Sequence, residues 1–417
     1  MRPFMLRLAG FAGAPILSAF APFIILPVVS RLVGPEGWAN FSTGQSIGIL
    51  GMVGVLFGWS VVGPVRVARS RTPHERAVIL GESLRSRALT AVLAVPAAGV
   101  ITYLVSGPDH RLDAVLVAVA MALGGFTPAW FCIGDGNPRA LMLFDAAPKL
   151  LASALSLPVL LWTGQVIWYP ILLTICTLPA FAWHAMLVRT GHDPAGEPAQ
   201  GVLTVLTALV PTAAIDAAGN AYGSTPIPIA TAGLPPAEAS TFASADRVYR
   251  IGLLAVVAVG NSFQAWVLDP QATDPRRRHG VAIASLTSLG AVGGIGIALL
   301  GPWATGVLFG ADVAAEPLPS LLFGIAFLFL ASATPLIRNL LIPAGRYRFV
   351  LTVTLVSAGV GVATMLAGAA AGSSAGIALG VAVAEAVSFV LLLVPGMRLW
   401  RSSPDAGEQV TPAARPS

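Results

Sequence analysis

The sequence predicts an all-α polytopic membrane protein of about twelve transmembrane helices, and three observations carry that expectation. Of the 417 residues, 56% are hydrophobic and only 10% are charged, a balance that belongs to a chain dissolved in lipid. The apolar residues lie in continuous runs, not in the apolar–polar alternation over about ten positions that marks a membrane β-strand. At about 20 residues per span, twelve helices use about 240 residues and leave connections of ordinary loop length.

Reading the runs between charges and Gly/Pro clusters places helices near 9–31, 40–63, 88–105, 113–133, 143–162, 168–188, 203–224, 243–266, 281–300, 319–337, 349–369 and 375–395. The first run follows Arg2 and Arg7 and continues past Ala21 to Val29, too long for a signal-peptide core, so it reads as an uncleaved span. With both termini cytoplasmic, the basic residues of the short loops collect inside, and of the 24 only Arg31, Arg111, Arg247 and Arg250 fall outside. The positive-inside rule therefore supports this orientation and an even number of spans. The net charge of +5 is spread over these loops, which excludes nucleic acid as a partner. All but one of the basic residues are arginine, Lys149 being the exception, a bias read as that of a GC-rich bacterial genome.

A polar stretch at 190–200 divides the chain into an N-terminal half, 1–195, and a C-terminal half, 202–400, each of six helices, followed by a disordered cytoplasmic tail, 401–417. The halves repeat. An offset of 201 superposes Pro27 on Pro228, Pro35 on Pro236 and Phe41 on Phe242, and an offset of 209 superposes Gly136 and Arg139 on Gly345 and Arg348. Six helices separate the copies, so they share orientation about an axis along the membrane normal, as in transporters that bind their substrate between repeats.

No catalytic constellation is present: there is no nucleotide-binding Gly-Lys-Ser/Thr, no Gly-x-Ser-x-Gly and no His-x-x-x-His pair. Cys132 and Cys176 lack metal or redox spacing and are expected as free buried thiols. No loop is long enough to hold the carboxylates of a membrane-embedded glycosyltransferase.

The segment Leu26, Pro27, Ser30, Arg31, Gly34, Pro35, Glu36, Gly37, Trp38 and Phe41 resembles the first loop of bacterial polysaccharide flippases. The run Trp130 to Gly134 with Arg139 is similar to their fourth-helix end, and Pro235, Pro236, Glu238, Ala239, Phe242, Ser244, Ala245, Asp246 and Arg247 to the opening of their eighth helix. The resemblance implies the superfamily of multidrug and oligosaccharidyl-lipid exporters, with two six-helix bundles in a MATE-like V. It implies alternating access without covalent chemistry or a cofactor, in a bacterial cytoplasmic membrane. The expected cargo is an undecaprenyl-diphosphate-linked oligosaccharide carried from inner to outer leaflet, the alternative a cation-coupled small-molecule exporter. Expected partners are the lipid-linked glycan, membrane lipids, and a glycosyltransferase or polymerase of the same pathway.

A diphosphate calls for cations, and arginine's forked donors suit its oxygens. Arg247, Arg250 and Arg31 are the candidate substrate contacts; the alternative is that they lie at the outer interface or pair with Glu36 and Glu238. Asp246 and Arg250 are spaced to neutralise one another, which leaves Arg247 free. Asp216, with Asn220 one turn on, and Glu385 are candidates for H⁺ or Na⁺ coupling, the alternative being acids that stabilise helix packing. Asp145 and Lys149 read as an internal ion pair, and His184 beside Trp183 as interfacial. Pro22 and Pro27 in the first helix, and Pro211, Pro226 and Pro228 in the seventh, are hinge candidates. Gly44, Gly48, Gly54 and Gly58 give small-residue spacing suited to close packing.

Overall fold

A computed structural model describes residues 18, 21–190, 200–268 and 274–402. Residues 9–17 of the first expected span, most of the linker at 190–200 and the tail from 403 lie outside the described residues. The described chain is helical throughout. After a 3-10 turn at Ala21–Ile24 come α1 (Leu26–Leu56), α2 (Trp59–Arg69), α3 (Pro73–Val105), α4 (Arg111–Leu123), α5 (Ala129–Gly134), α6 (Ala147–Thr163) and α7 (Trp168–Arg189). Then follow α8 (Val202–Ser224), α9 (Pro226–Gly233), α10 (Pro236–Val267), α11 (Pro275–Phe309), α12 (Pro317–Pro335), α13 (Tyr347–Ala370) and α14 (Ser374–Arg401). Pro73, Pro226, Pro236, Pro275 and Pro317 each occupy the first turn of a helix, where a missing N–H costs nothing and the fixed φ favours helix.

Among the described residues, ten helical stretches are long and apolar enough to cross a membrane. The 32-residue α10 is as long but carries Glu238, Asp246, Arg247 and Arg250 within it. Trp162, Trp168 and Trp303, and again Trp183 and Trp266, are exposed near helix ends, the depth that amphipathic rings prefer in a bilayer.

Several expected boundaries are corrected. The loop between the first two expected spans shrinks to Gly34, whose φ of 66° and ψ of −174° break α1; Pro35 then starts the next stretch, so almost no irregular backbone is left to solvate. The third helix begins at Pro73, not near 88, because its charges are paired or capped: Thr72 accepts from the Glu75 N–H at 3.1 Å and Arg66 reaches Glu82 at 2.6 Å. Gly58 is a helix break, with φ of 82° beside Phe57 at 44°, and it also packs closely, since a Cβ there would lie 3.1 Å from the Ala213 backbone nitrogen of α8. The fourth expected helix is interrupted at Gly124–Phe126 and the fifth opens on a π-helical segment, Met142–Ala146, mirrored by Leu336–Leu341 after α12.

The offset of 209 corresponds to one turn chemistry used twice. Gly136 and Gly345 have φ of 67° and 74°. The N–H groups of Gly136 and Asn137 return to the Ile133 and Cys132 carbonyls, as those of Gly345 and Arg346 return to Ile342 and Leu341, the paired bonds of a glycine helix stop. The offset of 201 places two fully buried phenylalanines, Phe41 and Phe242, in register, and both copies have a helix break before their prolines, at Ile25 and at Thr225.

Gly44 and Gly48 let α1 approach α4 backbone to backbone: a Cβ at Gly44 would collide with the Ala114 carbonyl oxygen, and one at Gly48 would lie 2.5 Å from Met121 Cβ. Gly81, in contrast, has nothing within 4 Å. Gly44→Ala should therefore destabilise the purified protein by about 1–3 kcal/mol of overpacking strain, read as a lower midpoint in detergent-solubilised thermal unfolding. Gly81→Ala should be neutral or stabilising by up to about 1 kcal/mol through helix propensity.

Candidate functional site

A cavity of about 460 Å³ lies between α1, α4, α5, α6, α7 and α10. Its wall is largely apolar, with Phe23, Met52, Phe126 and Phe144 among the lining side chains, and its polar contributions include Ser18, Gln45, Thr127, Asp145, Lys149, Tyr169, Arg247 and Arg250.

Arg247 is the site's distinguishing group. Its side chain is 6% exposed, and neither Nε nor Nη2 meets a hydrogen-bond partner among the described residues. Two other buried polar atoms of the same wall, Tyr169 Oη and Gln45 Oε1, have no partner of good hydrogen-bond geometry among the described residues; the two side chains interact with one another, and Tyr169 also with Arg247. Buried donors and acceptors are normally paired, so this cluster is the unfinished polar part of an otherwise apolar wall. Arg247 is held in place by its own helix: residues Ala239 to Asp246 of α10 include a buried run fastened to α1 through Trp38 Nε1, which donates to Ser244 Oγ at 2.9 Å.

Arg250 also lines the cavity but is engaged. It pairs with Asp246 one turn earlier and donates to the Gly223 carbonyl, which is freed where α8 gives way to α9. Arg31 does not line the cavity. It donates to Pro27 O at 2.8 Å and, at the end of α11, to Leu308 O at 2.8 Å and Val307 O at 2.6 Å. Neither Arg31 nor Arg247 forms an ion pair with Glu36 or Glu238 among the described residues; Glu36 accepts from the Asp109 N–H at 3.1 Å.

Asp145 and Lys149 form the expected pair, at 2.9 Å, on the cavity wall. Asp145 sits in the π-helical segment and also accepts from Ser18 Oγ at 2.9 Å and Thr127 Oγ1 at 2.5 Å, while Lys149 Nζ donates to Ser18 Oγ at 2.8 Å. Thr127 is in turn positioned by Arg87, a fully buried arginine that donates to the Gly125 and Thr127 carbonyls at 2.9 and 3.1 Å. Those carbonyls are released by the break between α4 and α5, and Phe126, Trp130 and Phe181 surround the guanidinium at 5.1–5.8 Å.

The remaining candidates lie elsewhere. Asp216 accepts from Ser60 Oγ of α2 at 2.6 Å and from Asn220 Nδ2 at 3.0 Å, tying α8 to α2 outside the cavity. Glu385 on α14 faces Tyr222. Of the hinge candidates, Pro22 lies in the 3-10 turn before α1 and Pro226 and Pro228 follow the Thr225 break, whereas Pro211 is inside a continuous helix. His184 is buried, 5% exposed, with Nε2 3.6 Å from Cys132 Sγ and Phe131 and Phe144 edge-on to its ring. Cys176 is half-buried, Cys132 buried. No group of three or more metal-ligating side chains occurs among the described residues.

Sequence reading misses Gln45, Tyr169, Ser18 and Thr127 at the cavity. The first two carry a usable signal, as polar groups inside apolar runs; the hydroxyls gain their role only from contacts made in the fold.

At the level of sequence, no family model matches the chain, and comparison with curated proteins yields no relative. Solved structures are similar in fold. An inward-facing conformation of a multidrug resistance MATE family transporter of the MOP superfamily matches with a TM-score of 0.65 at 16% identity, over 93% of this chain and 96% of that one. A ligand complex of the MATE multidrug transporter DinF-BH matches with a TM-score of 0.60 at 17% identity, over 94% and 95%. The eukaryotic MATE transporter AtDTX14 matches with 0.56 at 15%, over 95% and 97%. The chain therefore has the MATE-transporter fold over nearly its whole length.

Arg87 should be structurally indispensable. Arg87→Leu leaves the Gly125 and Thr127 carbonyls without their donor, and hydrogen bonds to a charged group contribute about 1.5–3 kcal/mol each. A marked fall in the detergent unfolding midpoint is expected, larger than for Arg85→Leu, whose guanidinium is exposed.

Proposed function

We propose that this chain is a bacterial cytoplasmic-membrane transporter that flips an undecaprenyl-diphosphate-linked oligosaccharide from the inner to the outer leaflet by alternating access of two six-helix lobes. The supporting observation is Arg247: a buried guanidinium whose Nε and Nη2 have no hydrogen-bond partner among the described residues, on the wall of a cavity of about 460 Å³ lined mostly by apolar side chains. Burying a charge unpaired is expensive unless a ligand completes it, and a diphosphate is a fitting complement to arginine's fork. Carrying two negative charges out of a negative interior is assisted by about 4.6 kcal/mol per 100 mV, from about 2.3 per charge. No covalent step is involved. Arg250 and Arg31 act here mainly on the frame, with Arg250 close enough to contact the cargo. Asp216 or Glu385 would couple H⁺ or Na⁺, and a glycosyltransferase or polymerase would supply or consume the glycan.

The second reading, a cation-coupled exporter of small molecules, is favoured by the apolar share of the cavity wall and by the multidrug transporters among the fold neighbours. Arg247→Ala separates the two. In cells it should lower surface-glycan export about tenfold or more while membrane levels hold, a loss of the size expected for one charge-assisted contact. Unchanged export together with drug resistance on expression would decide for the second reading.

Alternating access itself is testable at Thr43 and Thr231, whose Oγ1 atoms are 2.7 Å apart between α1 and α9. A Thr43→Cys/Thr231→Cys double variant should oxidise to a disulfide that arrests transport and is rescued by reductant. Full transport by the cross-linked protein would show that this contact does not open during the cycle.

A further inference from the structure

We propose that Lys149 is an exchangeable ligand for the cargo's anion: the entering diphosphate takes the Lys149 ammonium from Asp145 and is then held between Lys149 and Arg247. The inference rests on the reading of the cavity as a carrier of anions.

Four observations converge on Lys149. The first is the balance of charge. Arg247 alone supplies one positive charge, and a diphosphate brings more than one negative charge. Arg250 is committed to Asp246 and the Gly223 carbonyl, so the other cation available on the cavity wall is Lys149. The second is accessibility within the pair: the Lys149 side chain is 28% exposed and that of Asp145 only 6%, so the ammonium is the member an incoming anion meets. It uses two bonds, to Ser18 and Asp145, of the three it can donate.

The third is that the exchange leaves nothing stranded. When Lys149 turns to the cargo, Asp145 keeps two donors, Ser18 Oγ on Oδ2 and Thr127 Oγ1 on Oδ1, and the second of these is fixed by Arg87 on the Thr127 carbonyl. A carboxylate with one donor would not tolerate the loss in a buried site. The fourth is the choice of side chain. In a chain whose other Lys/Arg positions are all arginine, this one carries the lysine. An arginine one turn from Asp145 would grip the carboxylate with both prongs of its fork, whereas an ammonium is a compact charge on a flexible stem that can let go.

The test uses the purified full-length protein in lipid nanodiscs, titrated with farnesyl diphosphate and farnesyl monophosphate and followed by tryptophan fluorescence. Lys149→Met should weaken diphosphate binding about tenfold, the loss of one charge-assisted contact, and should weaken monophosphate binding less. Asp145→Asn should leave diphosphate binding unchanged or tighter, because the competitor for Lys149 is gone. The Asp145→Asn/Lys149→Met double variant removes both charges without baring either, and it should remain as weak as Lys149→Met. Recovery of wild-type affinity by the double variant would overturn the inference, since Lys149 would then be only the counter-ion of Asp145. Wild-type affinity in Lys149→Met, with binding still weakened by Arg247→Ala, would overturn it while leaving the proposed function standing. No binding by the wild-type protein would overturn the proposed function and this inference together.

Discussion

In hydrocarbon no water is available to a backbone N–H or C=O, so every interruption of a helix must be satisfied by the protein itself. This constraint organises the molecule around its cavity. The break between α1 and α2 at Phe57 and Gly58 frees the Val55 carbonyl, which accepts from Thr90 Oγ1 at 2.9 Å. The break between α4 and α5 is closed by Arg87, that between α8 and α9 by Arg250, and the end of α11 by Arg31. Three of the charged side chains that a hydropathy reading would mark as costly are therefore the donors that make irregular backbone possible at these points.

Against that background Arg247 stands apart. It is in the same helix as Arg250, three residues earlier, yet its Nε and Nη2 meet no carbonyl and no carboxylate among the described residues. The difference follows from helix geometry: Asp246 is four residues before Arg250 and within its reach, whereas Arg247 directly follows Asp246, and adjacent residues on a helix do not face one another. The ion pair of Asp145 and Lys149 occupies another part of the same wall, linked through Thr127 to Arg87 and through Ser18 to the segment before α1. The cavity thus combines one unfinished charge, Arg247, with cations already engaged, Lys149 with Asp145 and Arg250 with Asp246, on an otherwise apolar surface.

Much of this is legible in the sequence. Apolar runs long enough to span a bilayer mark nearly all the helices, because in lipid the burial pattern is simple and length alone discriminates. Asp246 and Arg250, and Asp145 and Lys149, are readable as pairs from their spacing of four, and Arg247 as the cation left over. What the sequence hides is anything that depends on a partner distant along the chain. Arg87 reads as a member of a cytoplasmic cluster, since nothing local reveals that it meets carbonyls nearly forty residues on. The burial of His184 is hidden for the same reason: nothing beside an exposed Trp183 reveals that Phe131, Cys132 and Phe144 pack around it. Helix ends are misjudged wherever charges sit inside a helix, as in α3, because a capped or paired charge is indistinguishable by sequence from one that marks a boundary.

The recurrent glycine stop at Gly136 and Gly345 carries a consequence of another kind. Both sit where one helix of a half hands over to the next, and both are closed by the same pair of backbone bonds, to which the first adds the Asn137 side chain, accepting from the Ala140 N–H at 3.0 Å, and an Arg76–Asp135 ion pair. A turn closed chiefly by backbone bonds constrains its neighbours little, so the residues around it are free to differ, Asp135 and Asn137 at one stop against Ala344 and Arg346 at the other, while the chain reverses in the same way.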